Sequence, residues 1–191
     1  MDASQQIPGR FKIWMGPVKS HKTAKLNSAY VKRRKVQPGK TIIAVKPEGH
    51  RDNGDRSSMI SSRDGTYIPA LAYNFLEQVP GIEKADCVFI DELHFFYREG
   101  NFEYLQELLR RGVDVYATCL NGTFNRESWP FVDRCYPMAK VEFTEAKCEV
   151  CGKVAHFSMK KSGDPSKLVE FDDNLYGPAC GDCWRPFYEA K

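Results

Sequence analysis

Gly16-Pro17-Val18-Lys19-Ser20-His21-Lys22-Thr23 follows the apolar run Phe11-Lys12-Ile13-Trp14-Met15 and opens onto residues 24–35, which read as a helix. The order is strand, glycine-initiated turn and helix, with Lys and Thr at the helix start. Backbone N–H groups and a helix N-terminus that converge on one point bind phosphate oxygens, and a P-loop requires this order. Gly16, Pro17, Val18, Lys19, Ser20 and His21 then form the phosphate loop for ATP. Lys22 adds a positive charge at the β- and γ-phosphates, and the Thr23 hydroxyl sits on Mg²⁺. A second apolar run, Val88-Phe89-Ile90, ends in Asp91-Glu92, where such a fold places its metal-holding Asp and a base. Together the two stretches point to phosphoryl transfer.

His21 stands where the usual pattern has its second glycine. Glycine is favoured there because the backbone approaches phosphate closely and takes φ > 0. His visits the left-handed region more readily than most residues, which keeps the loop possible. Residues 16–23 alone also fit an ordinary strand-to-helix turn.

The chain has 191 residues, enough for one α/β domain and a small appendage, and a net charge of only +3 gives no field that demands a polyanion. Lys32-Arg33-Arg34-Lys35 reads as a solvated helix C-terminus that complements the macrodipole. Apolar stretches are strand-sized, far short of the roughly 20 residues of a membrane span. Residues 1–10 lack the apolar region of a signal peptide, so a reducing, cytoplasmic setting is expected. In that setting the seven cysteines are not disulfides. Cys87, Cys119 and Cys135 lie in or beside apolar runs and read as small buried hydrophobes. Cys148-x-x-Cys151 and Cys180-x-x-Cys183 supply a four-thiolate set whose default occupant is a structural Zn²⁺, the rival being free thiols or a redox pair. A lone His in a hairpin, such as His156, is more often exposed or core-satisfied than a substitute ligand.

Short Ile/Val/Phe/Tyr-rich runs at 11–15, 41–46, 87–91 and 113–119 predict strands, and 22–35, 69–79 and 101–111 predict helices. This alternation gives a mostly parallel sheet with flanking helices, whose ligands bind at the carboxyl ends of the strands. Residues 47–66 read as a long polar loop, and long loops inside compact domains are often functional. Composition changes near Glu142, dividing residues 1–141 from a zinc-ribbon-like unit at 142–191 with a hairpin and a loop between its cysteine pairs.

The motifs together resemble the zinc-containing thymidine kinase family, over about Lys12 to Trp184. Residues 16–23 are similar to its Gly-Pro-Met-x-Ser-Gly-Lys-Ser/Thr, and Arg51 falls in the polar loop where it carries Asp-x-Arg, with Arg56 an alternative. Asp91-Glu92-Leu93-His94-Phe95-Phe96 resembles its Asp-Glu-x-Gln-Phe-Phe. Leu120-Asn121-Gly122-Thr123-Phe124 resembles its Leu-Asp-Gly-Thr-Phe, and Tyr176 with the cysteine pairs matches its zinc site and nucleoside loop. The resemblance implies a homotetrameric enzyme acting on a small nucleoside. It makes Glu92 the general base, with Arg51 at the transferring phosphoryl group. Phe95, Leu120, Phe124 and Trp129 wall the base, and Tyr176 with residues 168–173, including Val169 and Phe171, forms a zinc-pinned lid domain. Val18 replaces a Met, and Ser158 stands about where a Thr lines the 5-position of the base. Both are smaller, which implies tolerance of a bulkier 5-substituted deoxyuridine such as 5-hydroxymethyl. Glu92 also fits a second strand-end carboxylate, and Phe95 and Phe124 also fit plain core. Competing readings are a non-catalytic nucleotide-binding relative and a zinc-ribbon nucleic-acid module fused to an ATPase. Residues 139–191 are mixed in charge, which argues against the latter.

Overall fold

The computed structural model describes residues 8–49, 58–172 and 174–187. Strand β1 (Phe11–Gly16) leads into helix α1 (Lys22–Val36) and strand β2 (Ile42–Lys46), followed by β3 (Met59–Ser61), β4 (Tyr67–Pro69) and β5 (Leu71–Ala72). Then come β6 (Cys87–Ile90), α2 (Asn101–Arg110), β7 (Asp114–Leu120), α3 (Pro130–Cys135) and β8 (Lys140–Phe143). The remainder holds β9 (Ala146–Lys147), β10 (Val154–Ala155), β11 (Phe157–Lys160) and β12 (Tyr176–Ala179).

Six strands form one sheet in the order β5-β2-β6-β7-β1-β8, and every neighbouring pair is parallel. Alternation along each strand divides the core between its two faces. Ile13, Met15, Val88 and Ile90 pack on one face against Leu105 and Leu108 of α2 and Phe131 of α3. Trp14, Ile42, Ala44 and Phe89 pack on the other against Leu26 and Tyr30 of α1 and against Ile60 and Ile68. The last two belong to the antiparallel pair β3–β4. Cys87, Cys119 and Cys135 are fully buried, and burial pushes their thiols well above the usual range, to about 12 for Cys87 and Cys135.

The sheet runs past the expected boundary near Glu142, because β8 pairs with β1 through Phe143. Residues 69–79 are not the expected helix. Leu71 pairs in parallel with Val45 of β2, and only Leu76–Gln78 makes a 3₁₀ turn. The buried Asn101 side chain accepts from the Leu76 N–H at 2.8 Å and donates to the carbonyls of Asn74 and Phe96, so tertiary bonds displace a local helix. The expected loop at 47–66 contains β3, which turns through Asp64-Gly65, with Gly65 at φ 86, into β4.

Arg33 departs from the solvated reading of its basic run. It turns inward and pairs with Asp114, which also meets Arg10 at 2.8 Å. Burial raises the Asp114 carboxyl, but hydrogen bonds from the Arg10 side chain and backbone and from Arg33 more than offset this and hold it below its ordinary value. A lowered folded-state pKa adds stability above the unfolded pKa of about 3.9, lost as pH falls through the folded value. Asp114→Asn is expected to cost about 2 kcal/mol at neutral pH by urea unfolding, with the gap from wild type closing below about pH 4.

Candidate active site

The chain leaves β1 at Gly16, where a Cβ would lie 2.3 Å from the Thr144 hydroxyl and 2.4 Å from its carbonyl oxygen. This glycine therefore serves the passage of the chain beyond β8. Lys19 and His21 both take left-handed backbone, at φ 62 and 60. His21 thus adopts the conformation for which glycine is the usual choice, and its carbonyl accepts the first helical bond from the Lys25 N–H at 3.1 Å. Lys22 is folded onto its own loop, donating to the Pro17 carbonyl at 2.6 Å and to the Ser20 hydroxyl at 3.3 Å.

The acid pair follows β6, one strand removed from β1, with β7 between them. Thr118 of β7 fills that gap. Its hydroxyl donates to Asp91 Oδ1 at 2.5 Å and accepts from the Glu92 N–H at 3.0 Å. Thr23 reaches the same Asp91 oxygen from α1, at 3.3 Å. Glu92 is held at φ 53, a backbone conformation that costs a side-chain-bearing residue about 1–2 kcal/mol. His94 Nδ1 lies 3.8 Å from Glu92 Oε2 but accepts a hydrogen bond from the Leu120 N–H at 3.3 Å.

A cavity of about 630 Å³ opens at the carboxyl ends of these strands. Val18, Lys19, Ser20, His21, Lys22 and Thr23 line one part of it, and Asp91 and Glu92 stand on its wall. Phe95, Leu120, Phe124, Trp129, Ser158, Val169, Phe171 and Tyr176 line the rest, so residues far apart in sequence meet in one space. Phe95 stands edge-on to Phe171 and to Trp129, with ring centroids 5.6 and 6.1 Å away, and Phe124 is 6.3 Å from Tyr176. Gly16 and Pro17 are buried behind the loop and do not face the cavity. Arg51 and Arg56 lie outside the described residues.

The sequence reading missed Thr118, Lys46 and Arg63. Lys46 and Arg63 line the cavity, and Lys46 is buried at the carboxyl end of β2. Its strand-end position was a usable signal. Thr118 offered only a hydroxyl inside an apolar strand.

The Sγ atoms of Cys148, Cys151, Cys180 and Cys183 lie within 4.8 Å of one another, with Cys151 and Cys180 at 3.6 Å. Tetrahedral zinc at about 2.3 Å from each thiolate sets its sulfurs about 3.8 Å apart, so the donors suit Zn²⁺. Backbone N–H groups of Cys180, Cys151 and Val150 favour the Cys148 thiolate and lower its pKa to about 6. Four protein donors leave no open position, which fits a structural role. His156 is not among this set; its carbonyl accepts from Asn121 Nδ2 at 2.7 Å.

The cysteine unit bears directly on the loop between β1 and α1. Ser158 Oγ accepts from the Val18 N–H at 3.1 Å, and Glu149, between the first two cysteines, pairs with Lys19 at 2.5 Å and Lys161 at 2.9 Å.

A thymidine kinase family profile matches residues 9–184. The chain belongs to the thymidine kinase family. A thymidine kinase of Mesoplasma florum is 31% identical over 168 residues, spanning 80% of this chain and 81% of its own. One from Oryza sativa subsp. japonica is 26% identical over 190 residues, 94% of this chain and 68% of the relative. One from Amsacta moorei entomopoxvirus is 25% identical over 184 residues, 93% and 98% of the two chains. The four-cysteine centre is consistent with the zinc-containing type of thymidine kinase.

The buried apolar residues of the cysteine unit are few, namely Cys148, Ala155, Ala179 and Cys180, so its folding should be linked to metal. Metal analysis of purified protein is expected to give about one zinc per chain. Chelation, or Cys180→Ser, should remove it and lower the melting temperature, whereas a zinc-free protein of unchanged melting temperature would contradict the site.

Proposed function

We propose that this protein transfers the γ-phosphoryl group of ATP to the 5′-hydroxyl of thymidine or a related 5-substituted deoxyuridine. The observation that carries the reading is the single cavity shared by the phosphate loop, the Asp91-Glu92 pair and an aromatic-walled recess. Family membership and relatives named thymidine kinase in a bacterium, a plant and a poxvirus support it.

Glu92 takes the proton from the nucleoside 5′-hydroxyl. The freed oxygen bonds to the γ-phosphorus as the bond from that phosphorus to the β,γ-bridging oxygen breaks, leaving ADP. The Thr118 bond and the left-handed backbone fix where the Glu92 carboxylate can stand, and a base must be held within reach of its proton. Lys22 leaves the Pro17 carbonyl for the phosphates. Thr23 and Asp91 would hold Mg²⁺, which when bound neutralises charge on the phosphate oxygens. Arg51 contacts the transferring group in this reading. Phe95, Leu120, Phe124 and Trp129 hold the base, and the segment bearing Val169, Phe171 and Tyr176 covers the nucleoside and excludes water, which favours transfer to sugar over hydrolysis. Val18 and Ser158 meet at the cavity wall, where their small size leaves room for a larger 5-substituent.

His21 in the glycine conformation gives no reason to prefer a non-catalytic relative. Lys153, Lys160 and Lys161 are each paired with a carboxylate, which leaves little of a basic stripe for nucleic acid. Among the described residues no helix is long and apolar enough to cross a membrane. A cytoplasmic homotetramer remains part of the proposal, the reducing setting being the one that keeps the four thiols available to zinc.

ADP release by zinc-loaded protein with Mg·ATP should require a deoxyuridine-type nucleoside, and Glu92→Gln should lower turnover about a hundredfold or more. Equal ADP release with and without nucleoside would sink the kinase reading. Good turnover of thymidine with none of 5-hydroxymethyldeoxyuridine would remove the bulky-substituent idea alone. At the loop, His21→Gly should retain ATP binding, whereas His21→Val, which resists φ > 0, should weaken it about tenfold in direct titration.

A further inference from the structure

Burial alternates along β11. Phe157 and Met159 are half-buried, while Ser158 and Lys160 are buried. Ser158 meets the phosphate loop, and Lys160 reaches into the segment that connects β11 to β12. The Lys160 side chain has 0% exposure, and its Nζ lies 2.6 Å from Glu170 Oε2. It also donates to the carbonyl of Lys167 at 2.9 Å and to that of Asp164. An ammonium has three donors, and here all three acceptors come from one segment. Glu170 is tied in further, since its Oε2 accepts from the Asp164 N–H at 2.9 Å and its own N–H donates to the Tyr176 hydroxyl at 3.1 Å. The rings of Phe124 and Tyr176 stand 5.1 and 5.9 Å from Nζ, adding aromatic faces to the cage.

A buried ammonium stripped of its partners is costly, so the segment cannot swing away from Lys160 without a large penalty. The same segment sets Leu168, Val169, Glu170 and Phe171 on the cavity wall.

We propose that Lys160 is a positioning residue for the nucleoside. Its buried ammonium latches the β11–β12 segment in the shape that completes the nucleoside half of the cavity, and the phosphate half is held separately through Ser158 and Glu149. The inference rests on the kinase reading for its kinetic part. Without the latch the nucleoside must order the segment as it binds, which lowers apparent affinity by the fraction of protein already in the competent shape.

The test uses the full, zinc-loaded chain as wild type, Lys160→Met, Lys160→Arg and Glu170→Gln. Lys160→Met is expected to raise the KM for thymidine about tenfold or more while the KM for ATP stays within about twofold. Lys160→Arg, which keeps a cation, should recover most of the loss. In ligand-free protein, amide hydrogen exchange over residues 164–172 should quicken in Lys160→Met, with β1 and β7 unchanged. Unaltered exchange and an unaltered nucleoside KM would overturn the latch. So would a parallel rise of both KM values with loss of protection throughout the sheet, which marks general destabilisation. If Lys160→Met yields no folded protein, Glu170→Gln, which removes only the countercharge, supplies the same two readouts. If wild type phosphorylates no nucleoside, the kinase reading fails, and the exchange comparison still decides the latch.

Discussion

Strand β7 stands between the strand that ends in the phosphate loop and the strand that ends in the acid pair, and the site depends on that register. Ile90 of β6 is level with Ala117 of β7, which is level with Ile13 of β1. Thr118 therefore emerges beside Asp91 and Glu92, close to the first turn of α1. The Thr118 hydroxyl holds both members of the acid pair, and Thr23 reaches Asp91 from α1. Parallel pairing on both sides fixes the spacing, because a slip of one residue would turn Thr118 to the opposite face.

Much of the strain in this chain lies where that geometry is used. Glu92, His21 and Lys19 all hold left-handed backbone without being glycine, and all three line the cavity. Such conformations persist only where surrounding structure over-determines them. For Glu92 the determinant is the Thr118 bond. For Lys19 it is the ion pair with Glu149, beside the Val18 N–H that Ser158 Oγ accepts.

The cysteine unit is consequently more than an appendage. Its first turn carries Glu149 and its hairpin carries Ser158 and Lys160, so a centre of four thiols orients groups at both halves of the cavity. It is fastened to the sheet domain a third way through Arg126, whose guanidinium lies 3.8 Å from the Phe157 ring and 4.4 Å from the Trp184 ring, while Trp184 donates to the Phe124 carbonyl at 3.1 Å. A unit with so small an apolar core would gain rigidity from a bound metal, and these contacts would pass that rigidity to the loops.

By itself the sequence determined the parallel α/β fold, the glycine-initiated strand–turn–helix at 16–23, the strand-end acid pair and the four-cysteine set. These features are local: each is carried by residue types within a few positions of one another, and period and spacing suffice to read them. What only the tertiary structure decided is what those pieces meet. Residues 69–79 lose their apparent helix because β2 and Asn101 offer their backbone better partners than a helical turn does. Lys46 and Arg63 reach the cavity, and Thr118 reaches the acid pair behind its wall, through strand order and a hairpin, which no local pattern reports. Arg33 is drawn from a basic run to Asp114 at the start of β7. Lys160 is unremarkable in a lysine pair until the fold buries it, because the cost of an unpaired buried charge arises only once water is gone.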